Sequence, residues 1–220
     1  MGSWDCDPAE RTAECCRPVE PDPVNTGGGK KMSEKSNVRF QTRILAELIV
    51  FSVLSAILYA IRPFPGFPFG GAVSLGSMVP TMWLSLRRGI RVGLIAGAVF
   101  GVLALFIDII LLGASAVIAT PVQAILEYPV AFGLIGLTGV LHIKTVPAAI
   151  AGATLSVFLR FLVHYFVGAF IWVYVYAFPP EWGQWLWPAV YNGSFLAAEL
   201  IISGILLAII VNRGTLDYNL

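Results

Sequence analysis

The chain has 220 residues, of which 57% are hydrophobic and only 12% charged, with a formal net charge of +1. A soluble domain carries about 25% charged residues, and no small globular core can hide so large an apolar excess. The composition therefore excludes a soluble domain and calls for a bilayer, and the lack of a basic field excludes nucleic acid as a partner.

Residues 1–36 are rich in Pro, Gly and charged side chains without apolar periodicity, which reads as a disordered tail. No apolar segment of signal-peptide type occurs there. Met32 opens the stretch MSEKSNVRFQTR, a cytoplasmic lead-in to a first span, so translation from Met32 is one reading of the start. Cys6, Cys15 and Cys16 all lie in this tail. An adjacent Cys pair is not a CxxC motif and a structural zinc needs four ligands, so no metal site is expected. The two histidines, His142 and His164, are too far apart in sequence to form a His-rich site.

Residues 37–213 read as a membrane domain, followed by a short tail at 214–220. Apolar stretches near 43–62, 70–87, 90–113, 117–140, 146–177 and 187–211 predict an all-α integral membrane fold with six transmembrane helices. The second is broken by Gly70, Gly71, Gly76 and Pro80, which a membrane tolerates only where other protein groups satisfy the backbone. The basic residues give the orientation. Lys30, Lys31, Lys35, Arg39 and Arg43 precede span one; Arg87, Arg88 and Arg91 follow span two; Lys144 follows span four and Arg213 span six. The opposite connections carry only Arg62. The positive-inside rule then puts both termini in the cytoplasm.

Gly89, Gly93, Gly97 and Gly101 recur every four residues on span three, and Ser52, Ala56 and Ala60 make a small-residue stripe on span one. Such stripes serve either packing within the monomer or docking of a partner membrane subunit.

Ionisable side chains within spans are costly and point to function. Glu47, near the cytoplasmic end of span one, is placed to snorkel. Asp108, near the outer end of span three, is expected to be hydrated. Glu127, Arg160, His164 and Glu199 are deeper. Gln123 and Glu127 share a face of span four. Arg160, His164, Gly168 and Trp172 step along span five, and Asn192 and Glu199 share a face of span six. Three polar stripes predict one internal site, or a structural hydrogen-bond network. Trp172, Tyr174, Tyr176, Trp182, Trp185, Trp187 and Tyr191 crowd the outer end of spans five and six. Some suit an interfacial belt, whereas Trp172, beside a buried carboxylate, suits a planar cation. No phosphate-binding loop, HExxH or GxSxG motif is present, so ATP-driven work would belong to another subunit.

Four stretches carry a family likeness: GGAVSLGSMVPTMWLSLRRG at 70–89, PVQAILEYPVAFGLIGLTG at 121–139, RFLVHYFVGAFIW at 160–172 and YNG at 191–193. In this order the chain resembles the thiamine-specific substrate-binding component, or S-component, of energy-coupling-factor vitamin transporters (the YuaJ-type thiamine transporter family). The resemblance covers about Asn37 to Arg213. It implies a six-helix subunit in a prokaryotic cell membrane, without enzymatic activity or cofactor. Thiamine would be its transported ligand, and an integral coupling subunit with two cytoplasmic ATPases its partners.

The resemblance further implies a site of Glu127, Tyr128, His164, Trp172 and Asn192, with Gln123 nearby and Trp187 where the family often has Tyr. Trp172 and His164 would face the thiazolium, and Glu127 and Asn192 would bond polar edges. Ser52, Ala56 and Ala60 would dock the coupling subunit. The first outer loop, Pro63 to Phe69, lacks a Trp associated with the family; Phe64, Phe67 or Phe69 stands in its place. Competing readings are a stand-alone proton-coupled thiamine carrier using Glu127, His164 or Glu199, and an S-component for another vitamin or a thiamine precursor. A membrane enzyme pairing His164 with Glu127 or Asp108, and a ligand-free scaffold, are more remote.

Overall fold

A computed structural model describes residues 4–5, 17–18, 26–62, 71, 73–142, 145–175, 180–214 and 216, with side chains from residue 41 onward except at 180. The loop residues Phe64, Phe67 and Phe69, the cysteines, Lys144 and Tyr176 lie outside this set. Two units divide the chain, Met1–Thr42 and Arg43–Leu220. Within the first, β1 (Trp4–Asp5) pairs antiparallel with β2 (Arg17–Pro18). The long helix α1 (Thr26–Ala60) begins there, so its first turns fall inside the stretch read as a disordered tail.

The regular structure among the second unit's described residues is all helical. Five segments are long and apolar enough to cross a membrane: Gln41–Ala60, Ile90–Leu112, Pro121–Leu141, Val146–Tyr174 and Gly183–Asn212. Their outward faces are apolar; Ile110 at 80% and Ile201 at 63% exposure belong in lipid rather than water.

The second predicted span is where hydropathy and structure part. Only α2 (Val79–Arg88) is helical there, 10 residues or roughly 15 Å of rise, about half the hydrocarbon thickness. Before it, Val73, Ser74, Gly76, Ser77 and Met78 are buried outside any helix. Side chains satisfy that backbone instead. The Ser74 N–H donates to Glu199 Oε1 at 3.2 Å, the Gly71 N–H to the Tyr191 hydroxyl at 3.0 Å, and the Ser77 N–H to Ser74 Oγ at 3.3 Å. Irregular backbone persists at membrane depth only under such cover. At the other end of α2, Arg88 forms a two-pronged ion pair with Glu47, 2.6 Å from Nε to Oε2. Glu47 is thus an ion-pair partner and not a snorkelling side chain.

Helix α3 (Ile90–Leu112) follows α2 through Gly89 alone, at φ 92°, a left-handed turn suited to glycine. A short α4 (Ala114–Val117) leads to the fourth crossing. That crossing is a composite rod: α5 (Pro121–Ile125), a π-helical turn Leu126–Val130, α6 (Ala131–Gly133) and a 3-10 stretch Leu134–Leu141. Thr120 caps it, its Oγ1 accepting the Gln123 N–H at 3.1 Å, and Pro121 fills the first position, which needs no donor. Pro129 has no N–H to give, and the wider turn accommodates it.

The glycine stripe of α3 faces this rod. A Cβ on Gly97 would overlap the Phe132 carbonyl, one on Gly101 the Tyr128 carbonyl, and one on Gly136 the backbone of Gly93. The stripe is therefore used inside the monomer. Replacing Gly97 with Val is expected to force the two helices apart and cost about 1–3 kcal/mol, read as earlier thermal unfolding in detergent. Ser52 is also used internally: fully buried, it donates to the carbonyls of Leu48 and Ala96 at 2.8 and 3.0 Å. Ala56, about one turn further along α1, is buried as well and Ala60 is exposed, so of the expected docking stripe only Ala60 is open.

Finally, α7 (Val146–Phe170), 3-10 turns at Trp172–Tyr174 and Pro180–Trp182, and α8 (Gly183–Asn212) complete the bundle. The core between these helices holds Phe100, Phe132, Met78, Met82, Ile135, Leu196 and Leu207. Tyr59, Phe100 and Phe132 meet edge to face at centroid distances of 4.9–5.9 Å, the favoured aromatic geometry.

Candidate functional site

A cleft open at one end is lined by side chains from α1, α3, the composite rod, α7 and α8. Of the seven residues that the resemblance assigns to the site, six line it: Glu127, Tyr128, His164, Trp172, Trp187 and Asn192. Gln123 is fully buried behind Glu127.

Glu127 is the focus. Its Oε2 accepts from Trp172 Nε1 at 2.9 Å and from Gln123 Nε2, and its Oε1 faces His164 Nδ1 at 3.5 Å. Gln123 is held in turn by the Ala119 N–H on its Oε1 and donates to the Val117 carbonyl, so it cannot swing away. Two donors, with the His164 ring facing the other oxygen, fix the orientation of this half-buried carboxylate. The π turn matters here, because it carries both Glu127 and Tyr128.

Trp172 reaches this carboxylate by a route the four-residue spacing does not describe. Helix α7 stops at Phe170, Ile171 leaves helical geometry at φ −121°, and Trp172 opens a 3-10 turn. His164 and Gly168 remain on the helical face. Gly168 lets α8 approach, since a Cβ there would press on Pro188. Asn192 bridges the same two helices, donating from Nδ2 to the Pro188 carbonyl at 2.9 Å and the His164 carbonyl at 3.4 Å. Trp187, Tyr191 and Phe195 form an aromatic run along α8, with successive centroids 5.8 Å apart.

Arg160 lies at the base of the cleft. Its guanidinium sits 4.0 Å over the Phe132 ring and donates to Glu199 Oε2 at 3.4 Å, Met78 Sδ at 3.1 Å and His164 Nε2 at 3.4 Å. Glu199, the other deep carboxylate, also accepts from Ser74 Oγ at 2.7 Å. It therefore ties α7 to the irregular segment before α2 and does not face the cleft.

The expectation for Asp108 is corrected. It is 1% exposed, not hydrated, and its carboxylate accepts from Tyr59 at 2.9 Å, Tyr128 at 2.8 Å and the Arg62 guanidinium. Tyr128 thus spends its hydroxyl on Asp108. Sequence reasoning missed this hub and the wall residues Tyr59, Phe132 and Phe195. The available signal was the Asp itself, since a carboxylate in an apolar span needs donors from its neighbours.

A family model described as thiamine transporter protein (Thia_YuaJ) matches residues 45–216. The thiamine transporter ThiT of Lacticaseibacillus paracasei is 27% identical, the match covering 77% of this chain and 90% of that protein. ThiT of Bacillus subtilis is 26% identical, covering 77% and 92%. A solved structure of ThiT from Listeria monocytogenes superimposes with a TM-score of 0.65 at 29% identity, covering 80% of this chain and 97% of that one. With the family's model matched across nearly the whole membrane domain and its fold reproduced, this chain belongs to the Thia_YuaJ family of thiamine transporter proteins.

Proposed function

We propose that this chain is the thiamine-binding specificity subunit of an energy-coupling-factor-type uptake transporter, and that the Glu127 cleft is its high-affinity site. The observation that carries the reading is the charge inventory around the cleft. Three carboxylates, Glu127, Asp108 and Glu199, face two guanidinium groups, Arg62 and Arg160. His164 adds no charge while its Nε2 accepts from Arg160. One negative charge is left over at Glu127, in a place where unbalanced charge is expensive. Thiamine, a flat monocation, supplies the balance.

In this reading Trp172 and His164 contact the thiazolium, Glu127 and Asn192 bond polar edges of the ligand, and Trp187 adds a stacking face. An indole there keeps the aromatic surface and an N–H donor but offers no hydroxyl acceptor, which bears on discrimination among thiamine analogues. Trp172→Ala is expected to weaken thiamine binding by about 2 kcal/mol, roughly 30-fold, through lost cation–π contact. Calorimetry on the purified variant checks it, and unchanged affinity would remove Trp172 from the site.

The chain lacks a phosphate loop, so energy would come from a membrane coupling subunit and two cytoplasmic ATPases, with no enzymatic activity in this subunit. We further infer six crossings in a prokaryotic cell membrane with both termini inside. The irregular residues 73–78 and the half-length α2 would together make the second crossing.

The direct test is intrinsic tryptophan fluorescence of the purified protein during thiamine titration. Saturable quenching at sub-micromolar thiamine supports the assignment; a flat trace with calorimetry also silent overturns it. Uptake measured with and without the coupling subunits and ATP separates this mechanism from a stand-alone proton-coupled carrier, which would need neither.

A further inference from the structure

We infer that Arg160 is a positioning residue: it holds His164 as the neutral imidazole with its proton on Nδ1, and so reserves the Glu127 carboxylate for a cationic ligand. A guanidinium only donates and stays charged. With Arg160 Nε 3.4 Å from His164 Nε2, that ring nitrogen is the acceptor, and the single ring proton belongs to Nδ1, facing Glu127 Oε1 at 3.5 Å. A second ring proton would meet the Arg160 N–H head-on and set two cations together where both residues are buried.

Arg160 can impose this because it cannot retreat. It is fixed by Glu199 on α8, by Met78 ahead of α2 and by the face of Phe132 on the composite rod. The other ionisable groups around the ring are Glu127, which favours a second proton, and Asp108, Tyr59, Tyr128 and Tyr191 elsewhere on the cleft wall. Asp108 is already engaged by Arg62, Tyr59 and Tyr128, and Glu199 lies behind Arg160. Without Arg160, Glu127 would draw a proton onto His164. The resulting imidazolium would then occupy the negative charge a monocation needs.

The first test does not involve thiamine. The chain has two histidines, so a His142→Gln background leaves His164 as the only source of a ¹⁵N-histidine spectrum. In the ligand-free protein, from pH 8 to 6, Nε2 should report an unprotonated nitrogen and Nδ1 a protonated one. In Arg160→Met/Glu199→Gln, which removes both ends of the ion pair together, both nitrogens should become protonated as the pH falls. Arg160→Lys keeps a donor and should retain the parent spectrum. A parent ring protonated on Nε2, or a double variant with the parent's spectrum, overturns the inference.

The second test rests on the thiamine reading. Relative to the parent at the same pH, thiamine affinity of the double variant should fall as the pH is lowered from 8 to 6, by up to about tenfold per pH unit. That of Arg160→Lys should track the parent. A pH-independent ratio in the double variant overturns the inference. A parent that binds no thiamine overturns the function instead, and the ligand-free spectrum still decides the role of Arg160.

Discussion

Glu127→Gln is expected to lower thiamine affinity by about 30- to 1,000-fold, which is 2–4 kcal/mol, while leaving the helical fold intact. The amide preserves shape but removes the charge that balances a monocation. It also brings two N–H donors to a position already surrounded by three: Trp172 Nε1, Gln123 Nε2 and His164 Nδ1. With the amide oxygen in the place of Oε2, Trp172 and Gln123 keep their acceptor, and the contact with His164 Nδ1 becomes donor against donor. Calorimetric titration gives the affinity, and circular dichroism with a melting curve checks the fold. Binding equal to the parent's would make Glu127 a structural group and undo the charge argument.

The second large effect is on stability. Glu199→Ala should destabilise the bundle by about 3–5 kcal/mol, because it strands a buried guanidinium. It also strips the Ser74 N–H and hydroxyl of the acceptor that holds them at membrane depth. Glu199→Gln should cost less, since its carbonyl oxygen still accepts from Ser74. Thermal unfolding in detergent ranks the two, and the alanine variant should also lose yield. Equal melting of Glu199→Ala and the parent would mean that the segment before α2 is held by something else.

These two carboxylates illustrate what the sequence conveys. Gln123 with Glu127, and Arg160 with His164, are neighbours by helical spacing, so their shared faces are legible from position alone and their meeting across two helices follows from their cost in lipid. Other features depend on partners far away in the chain. Residues 73–78 look like the start of a span by hydropathy, because apolar content does not distinguish a buried coil from a buried helix. The Gly71 and Ser74 N–H groups are satisfied from α8, by Tyr191 and Glu199. Asp108 sits where water is a reasonable expectation, and only the convergence of Tyr59, Tyr128 and Arg62 makes burial affordable. The end of α7 before Trp172 is likewise set by backbone geometry that spacing does not reveal.

The glycine contacts of the composite rod have a mechanical consequence. On one side the rod meets Gly93, Gly97 and Gly101 of α3 backbone to backbone, and on the other Gly152 of α7 rests on the Thr138 carbonyl. Each contact is a notch that admits no Cβ. Sliding either neighbour along the rod by a single residue, about 1.5 Å, would drive a methyl group or larger into a carbonyl. These three elements therefore move as a keyed slab with no freedom to shear.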